Sequence, residues 1–405
     1  MKIFLICCEK SGNNIIDQIL DKVKHSILNE NINIAGMVYD EVAKKYNIKQ
    51  LFNPEELATI GIGDIIFSIS EIIEKIENTA NKIIEFQPDL VISVDAYDFC
   101  VRVIKTVRKI EKKNLNNKNQ SIRNIQNNKT IQAWHVVAPS VWAYWSFRAK
   151  ILAKYYDRLF YLLPFEFNYF KQLERVKNRN NHSFLSTFIG YPATFQTRSP
   201  NIKKDDNLIG IMIGSRTNEI NRHKDLIIST IIGLKMINKN FKFAIFTTED
   251  TTSFIKQLFS NIKNIEFFDK NSDKLNMIQK CTLVVAKNGT NNIEIGALGT
   301  SMVVYYKTSI LTYFLGKIFI KKIRFINLFN IILNKQVIPE FIQKNATANN
   351  LINAIMQLLN NNNLRDEQIK QIDKAISLMQ REDKKHPSDV VCEEIINFFS
   401  HKNKN

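Results

Sequence analysis

The stretch that most constrains this chain is Leu283 to Lys307, LVVAKNGTNNIEIGALGTSMVVYYK. An apolar, β-branched run (Leu283 to Ala286) meets a polar turn holding Gly289. A short helical pattern (Asn292 to Leu298), Gly299 and a second apolar run (Ser301 to Tyr306) follow. Periodicity that switches from strand to helix and back in so few residues specifies a βαβ unit, and with it a parallel sheet. The turn after the first strand of such a unit offers backbone N–H groups and a helix N-terminus at the carboxyl edge of the sheet, where a diphosphate binds. Glu294 then lies one turn into that helix. The alternative is an ordinary connection whose glycine serves geometry alone.

The same alternation runs through the rest of the chain. Lys2 to Cys8 (KIFLICC) reads as a buried parallel strand, followed by the turn Glu9 to Asn14 and a helical pattern to about Leu28. Further strands are expected at Asn33 to Val38, Leu90 to Val94, Ile131 to Val137, Leu159 to Leu162 and Phe184 to Ile189, with a long amphipathic stretch from Asp64 to Phe86. Ala193 to Asp206 is polar and contains Pro200, as a domain linker would. Beyond it LIGIMIGSRTNEI (Leu208 to Ile220) restarts the pattern, with strands at Phe243 to Phe246 and Asn264 to Phe267 before the Leu283 unit. A chain of 405 residues suits two such α/β domains, each with its own core. Lys112 to Lys129 has little apolar periodicity and reads as a solvated insertion.

Open α/β sheets place their chemistry at the carboxyl ends of strands. Two carboxylates, Asp95 and Asp98, follow the strand Leu90 to Val94. One can act as a general base with the other orienting it, or both can cap the next helix. Ser11, after the first strand, is either a helix cap or a ligand contact. APSVWAYW (Ala138 to Trp145) follows another strand and places two tryptophans where they line an acceptor pocket or fill the core. In the second half Gly214, Ser215 and Arg216 end a strand, and Glu219 lies in the first turn of the next helix. An arginine there can donate several hydrogen bonds to a phosphate.

Charge and absent motifs narrow the class. With 56 Lys+Arg against 39 Asp+Glu the chain carries +17, which favours anionic partners, although Lys, Asn and Ile are abundant throughout. The basic residues are dispersed and match no nucleic-acid-binding motif. The five cysteines form no C-x-x-C pair and read as reduced thiols of a cytosolic protein. The first apolar run is too short for a signal-peptide core, and none approaches the ~18 residues of a spanning helix. No metal-binding, dinucleotide, P-loop or nucleophile-elbow pattern occurs. An enzyme expelling a diphosphate without a metal needs arginine and helix N-termini, which Arg216 and the Gly289 turn supply.

EKSGN (Glu9 to Asn13), VDAYDF (Val94 to Phe99), VAPSVWAYW (Val137 to Trp145), LPFE (Leu163 to Glu166), IGYP, IGSRTNEI, NGTNNIE (Asn288 to Glu294), INLFNIIL (Ile326 to Leu333) and IPEFIQ (Ile338 to Gln343) occur in the order of bacterial lipid-A-disaccharide synthase, which the chain resembles over nearly its whole length. The resemblance implies the GT-B fold: two Rossmann-like parallel-sheet domains facing a cleft, with C-terminal helices returning to the N-terminal domain. The expected domains are 1–195 on the acceptor side, 205–385 on the UDP-sugar side, and a helix at 386–405 packing back. It implies an inverting, metal-independent glycosyltransferase without a cofactor, since the UDP-sugar is a substrate. Such an enzyme moves 2,3-diacylglucosamine from UDP to the 6-hydroxyl of 2,3-diacylglucosamine 1-phosphate. Another UDP-sugar transferase or an epimerase of the same fold is the rival reading.

Carried onto this sequence, the resemblance makes Asp98 the candidate base. It places Arg216, Glu219, Gly289, Thr290, Glu294, Asn330 and Gln343 around UDP, and Glu9, Ser11, Gly12, Asp95 and Ser140 on the acceptor side. Asn13, Tyr97, Tyr191 and Asn288 stand where the family usually has Asp, Pro, His and Ser. It also implies a cytoplasmic enzyme held peripherally on the anionic inner membrane, and leaves an oligomer open. For Ile310 to Leu333 a helical reading puts Lys317, Lys321 and Arg324 on one face and Phe319, Ile323 and Ile326 on the other, as in an interfacial helix or a core helix with one solvated face.

Overall fold

The computed structural model describes residues 1–26, 32–54, 65–117, 130–143, 145–175, 183–269, 273–308 and 324–402. The chain divides into two compact units, Met1–Gly190 with Arg381–Asn405, and Tyr191–Gln380.

The first unit holds seven strands among the described residues: β1 (Lys2–Cys7), β2 (Asn33–Met37), β3 (Lys49–Gln50), β4 (Leu90–Val94), β5 (Gln132–Val136), β6 (Arg158–Tyr161) and β7 (Leu185–Phe188). They form one sheet in the order β3-β2-β1-β4-β5-β6-β7, and every pair is parallel. A parallel sheet covered on both faces needs strands that are apolar on both, so β1 is buried from Ile3 onward and β4 along its whole length. Alternation along β1 assigns the faces. Phe4 and Ile6 join Ile76, Ala80 and Ile83 of the helix Ile65–Phe86 and Val103, Ile104 and Val107 of the helix Tyr97–Asn117. Ile3, Leu5 and Cys7 join Ile16, Ile19 and Val23 of the helix Lys10–Ser26, together with Val391, Ile395 and Phe399 of the helix Pro387–Lys402.

The second unit repeats the plan with β8 (Asp205–Met212), β9 (Lys242–Phe246), β10 (Ile265–Phe268), β11 (Cys281–Lys287), β12 (Ser301–Tyr306) and β13 (Glu340–Ile342). Their order is β10-β9-β8-β11-β12-β13, again all parallel. The helices Thr217–Ile237 and Ala348–Leu359 bury Ile227, Ile231, Leu351 and Ile355 against Ile209, Ile211, Val285 and Val303.

Strand order fixes where a ligand can sit. In the first sheet the chain builds outward from β1 to β3, then returns to β4 beside β1 and builds the other way. The second sheet reverses in the same manner between β8 and β11. Connections diverge at such a reversal and leave a crevice at the carboxyl ends of the two central strands.

Three expectations need correction. The helix Tyr97–Asn117 continues through the start of the expected 112–129 insertion, and residues 118–129 lie outside the described residues. The first helix begins at Lys10, which puts Ser11 inside it instead of at the cap. Most of the amphipathic segment at 310–333, with Lys317, Lys321, Phe319 and Ile323, lies outside the described residues. Its described end is not one helix: 324–327 is non-helical, and the Asn327 side chain caps a separate helix, Leu328–Leu333, by accepting from the Phe329 N–H at 3.0 Å.

Candidate active site

The first reversal brings the turn after β1 beside the turn after β4, since Cys7 pairs in register with Val94. Gly12 eases this approach: a Cβ there would lie 3.0 Å from Cys7 Sγ and 3.2 Å from a Val94 methyl, so a larger residue would require those side chains to give way. Glu9 is exposed, and its carbonyl accepts the Asn13 N–H at 3.1 Å. Asn13 is buried and its Oδ1 takes the Tyr39 N–H at 3.4 Å, an acceptor role an aspartate could also fill. Ser11 lies in the first turn of the helix, and its side chain is outside the described set.

The turn after β4 is strained. Asp95 (φ 53°) and Ala96 (φ 41°) are both left-handed without being glycine, as are Val137 (φ 74°) after β5 and Trp145 (φ 54°) beyond it. Such residues persist only where their surroundings over-determine them, and they cluster at functional edges. Here Asp95 donates its N–H to the Val136 carbonyl at 3.2 Å, while Val137 and Ala138 both donate to Phe160. The double left-handed step starts the helix at Tyr97 and puts Asp98 in its first turn, where the helix dipole favours an anion. Ser140 lies in the turn beyond β5, its carbonyl accepting from Ala143 at 3.0 Å.

Asp98 does not stand alone. Its side chain is 68% exposed, yet Arg148 Nη2 reaches both carboxylate oxygens, at 3.0 and 2.8 Å. Arg148 is only 11% exposed, and its guanidinium sits 4.6 Å from the Tyr97 ring centroid and 4.3 Å from that of Trp145. Burial pushes the Tyr97 phenol up to about 12 against the opposing charge of Arg148, so this tyrosine stays neutral and serves as a packing surface. Arg148 was missed in the sequence. Its one signal there is an arginine three residues after Trp145.

At the second reversal Met212 pairs with Ala286, which brings the turn after β8 to the turn after β11. Gly214 (φ 135°) adopts a conformation that favours glycine, and a Cβ there would press within 3.1 Å of Glu219 Oε2. Glu219 accepts from Lys287 Nζ at 2.8 Å, both side chains being largely shielded. Burial works against ionisation of Glu219, but the hydrogen bond and charge of Lys287, helped by Arg216, outweigh it and hold the carboxyl below its ordinary value. Arg216 is exposed at the start of the helix Thr217–Ile237. Lys287 was missed, although a cation closing a buried apolar strand was a readable signal.

The Gly289 turn differs from expectation in one respect. The Gly289 N–H is already taken by Asn292 Oδ1 at 3.1 Å, so that amide is not free for a phosphate. A Cβ at Gly289 would meet nothing within 4 Å, so packing does not require the glycine. Thr290 is exposed just before the short helix Asn291–Ala297, and Glu294 pairs with Lys274 at 3.1 Å.

Asn330 and Gln343, which the resemblance places around UDP, each hold backbone groups of the second unit. Asn330 is fully buried: its Oδ1 accepts from Val337 and Ile338 at 2.7 and 2.8 Å, and its Nδ2 donates to the Ile338 carbonyl and Glu340. Gln343 spends its amide on both backbone groups of Thr308, at 2.8 and 3.1 Å. Glu340, unassigned in the sequence, accepts from the Ile326 and Asn327 N–H groups, and burial raises its carboxyl despite these bonds. Asn288 donates to the Ile326 carbonyl at 3.0 Å and ties the β11 turn to the same network.

Other polar groups are structural. His135 lies buried against Ser93 at 2.7 Å and burial lowers it to about 3, so it stays neutral in the core. A cavity of about 480 Å³ between the helices Lys10–Ser26 and Pro387–Lys402 is lined by Lys22, His25, Asp389 and Glu393 among others. It lies toward the far end of the first helix from Gly12 and so away from the carboxyl edge. Among the described residues no cluster of His, Cys, Asp or Glu is placed to hold a metal ion, all five cysteines are unpaired, and no helix is long and apolar enough to cross a membrane.

Two all-parallel α/β units, each with its polar residues at a strand-order reversal, define the GT-B class. The solved structures agree. A UDP-GlcNAc 2-epimerase from Neisseria meningitidis, bound to UDP-GlcNAc, is similar with a TM-score of 0.57 and 12% identity over 98% of this chain and 100% of its own. A spinosyn rhamnosyltransferase complexed with thymidine diphosphate has a TM-score of 0.54 and 10% identity, covering 96% of this chain and 99% of its own. At such identities the likeness is one of fold. Sequence is more specific: the family model for lipid-A-disaccharide synthetase matches residues 3–393. The lipid-A-disaccharide synthase of Rickettsia typhi is 32% identical over 392 residues, covering 96% of this chain and 97% of its own, and that of Rickettsia felis is 31% identical over 394 residues, covering 97% and 95%. The chain belongs to the lipid-A-disaccharide synthase family and is a glycosyltransferase that acts on nucleotide-sugar and lipid substrates.

Proposed function

We propose that the chain transfers 2,3-diacylglucosamine from its UDP conjugate to the 6-hydroxyl of 2,3-diacylglucosamine 1-phosphate, inverting the anomeric carbon, with Asp98 as general base. The observation that carries this reading is an exposed Asp98 carboxylate at the carboxyl edge of β4, beside the strand-order reversal and anchored by Arg148. Asp98 accepts the hydroxyl proton as the oxygen attacks C1 of the donor sugar. The bond from C1 to the diphosphate oxygen breaks, and its electron pair leaves with UDP. Arg216 and Lys287 offset that departing charge, without a metal. The test is thin-layer separation of products from the two substrates in the presence of EDTA. The disaccharide 1-phosphate and UDP are expected, and activity that is lost in EDTA and restored by magnesium would overturn the metal-free reading.

The acyl chains of both substrates place this reaction at a lipid surface, and we assign it to the anionic, cytoplasmic face of the inner membrane. The net charge of +17 supports this. So do the exposed aromatics of the first unit, Trp145 (43%) and Phe147 (56%) near Arg148 in the chain and Phe167 (46%) beside the exposed Lys171.

A further inference from the structure

An exposed carboxylate in the first turn of a helix is free to rotate, and a general base works only when its lone pairs are held on the reacting proton. Asp98 is exposed, whereas the group that touches it is not: Arg148 is 11% exposed against 68% for Asp98. Surface ion pairs stabilise a fold little, because two flexible side chains must be ordered to make them. In this pair the ordering is done in advance. The Arg148 guanidinium is flanked by Tyr97 and Trp145, with centroids at 4.6 and 4.3 Å, and one nitrogen bridges both Asp98 oxygens at 3.0 and 2.8 Å. Trp145 reaches its place through a left-handed backbone (φ 54°), a conformation a bulky residue adopts only under constraint. Tyr97, the residue before Asp98, supplies one flanking ring, and Trp145, three residues before Arg148, supplies the other. A lysine could supply the charge but not a planar group for these rings to hold.

We propose that Arg148, held between Tyr97 and Trp145, is a positioning residue that fixes the Asp98 carboxylate for proton abstraction. The proposal rests on the reading of Asp98 as the base, and the experiment separates the two. Steady-state kinetics would be measured on Arg148→Ala, Arg148→Lys, Asp98→Asn and the Arg148→Ala/Asp98→Asn double variant, with thermal melts as the check on folding. Asp98→Asn should lower kcat by roughly 10²- to 10⁴-fold, the usual worth of a positioned base. Arg148→Ala should lower kcat by about 10- to 100-fold with KM for both substrates unchanged, as expected for a displaced catalytic group. Arg148→Lys should fall between wild type and Arg148→Ala, and the double variant should be no slower than Asp98→Asn, because the arginine acts only through the aspartate. If Arg148→Ala does not fold, Trp145→Leu, which removes one flanking ring and keeps the charge, should still lower kcat. A normal kcat in Arg148→Ala beside an inactive Asp98→Asn would overturn the positioning role and leave the base in place. Near-normal turnover of Asp98→Asn would remove both. A raised KM for the phosphorylated acceptor at unchanged kcat would make Arg148 a phosphate anchor instead.

Discussion

The Lys287 ammonium lies 2.8 Å from a Glu219 carboxylate oxygen, joining the last residue of β11 to the first turn of the helix after β8. The pair spans the strand-order reversal of the second unit, so a diphosphate entering there competes with Glu219 for the cation. Lys287→Ala should therefore raise the Kd for UDP about 10- to 100-fold, the worth of a charge-assisted hydrogen bond. Glu219→Gln, which releases the lysine, should leave UDP binding intact or strengthen it. Titration calorimetry with UDP separates these outcomes, and equal weakening by both substitutions would reduce the pair to a structural tie.

Glu166 sets a pH dependence. Its Oε2 accepts from the Leu162 and Leu163 N–H groups, but burial dominates and lifts the carboxyl from the ordinary 4.5 to about 8. A value raised on folding means that its contribution to stability is full below 4.5 and is lost as pH rises through about 8. Glu166→Gln keeps an acceptor oxygen and removes the titration. The variant should match wild type in acid and exceed its melting temperature at pH 8 and above. Parallel melting curves across that range would show that this carboxyl is not buried as described.

Asn330→Ala should act on stability before it acts on binding. The substitution strips acceptors from two backbone N–H groups and a donor from a buried carbonyl, at about 1–3 kcal/mol for each group left unsatisfied. Denaturant unfolding should show the loss, while protein that remains folded binds UDP nearly as before. A large rise in Kd at unchanged stability would return Asn330 to the ligand.

The lipid-surface proposal makes a prediction about Phe147 and Phe167. Replacing both with serine should release the protein from anionic vesicles in a flotation assay, and high salt should do the same to the wild type. Undiminished flotation of the double variant would move the contact to another surface.

Much of the fold was legible because a parallel strand buried on both faces has almost no freedom in composition. Leu90–Val94 and Ser301–Tyr306 were placed to the residue for that reason. The helix Tyr97–Asn117 was cut short because its final turns hold Leu115 as their one apolar residue and carry no apolar stripe. The placement of Asp98 and Arg216 after strand ends was legible, but their partners were not. Arg148 meets Asp98 from 50 residues away, and Asn330 and Gln343 satisfy backbone groups that only the tertiary fold brings to them. A polar residue at a sheet edge reads the same whether it faces a ligand or a carbonyl. Burial and hydrogen-bond geometry decide between the two.

The helix Pro387–Lys402 supplies Val390, Val391, Ile395 and Phe399 to the core beneath β1 and β4, more than 290 residues after β4 ends. During synthesis the ribosome therefore releases the whole second unit before the first can close that side of its sheet. Until then Ile3, Leu5 and Ile92 lack part of their cover. A stop codon ahead of Pro387 would leave the second unit complete and the first open, so loss of the last few turns of chain would disable the end that was made first.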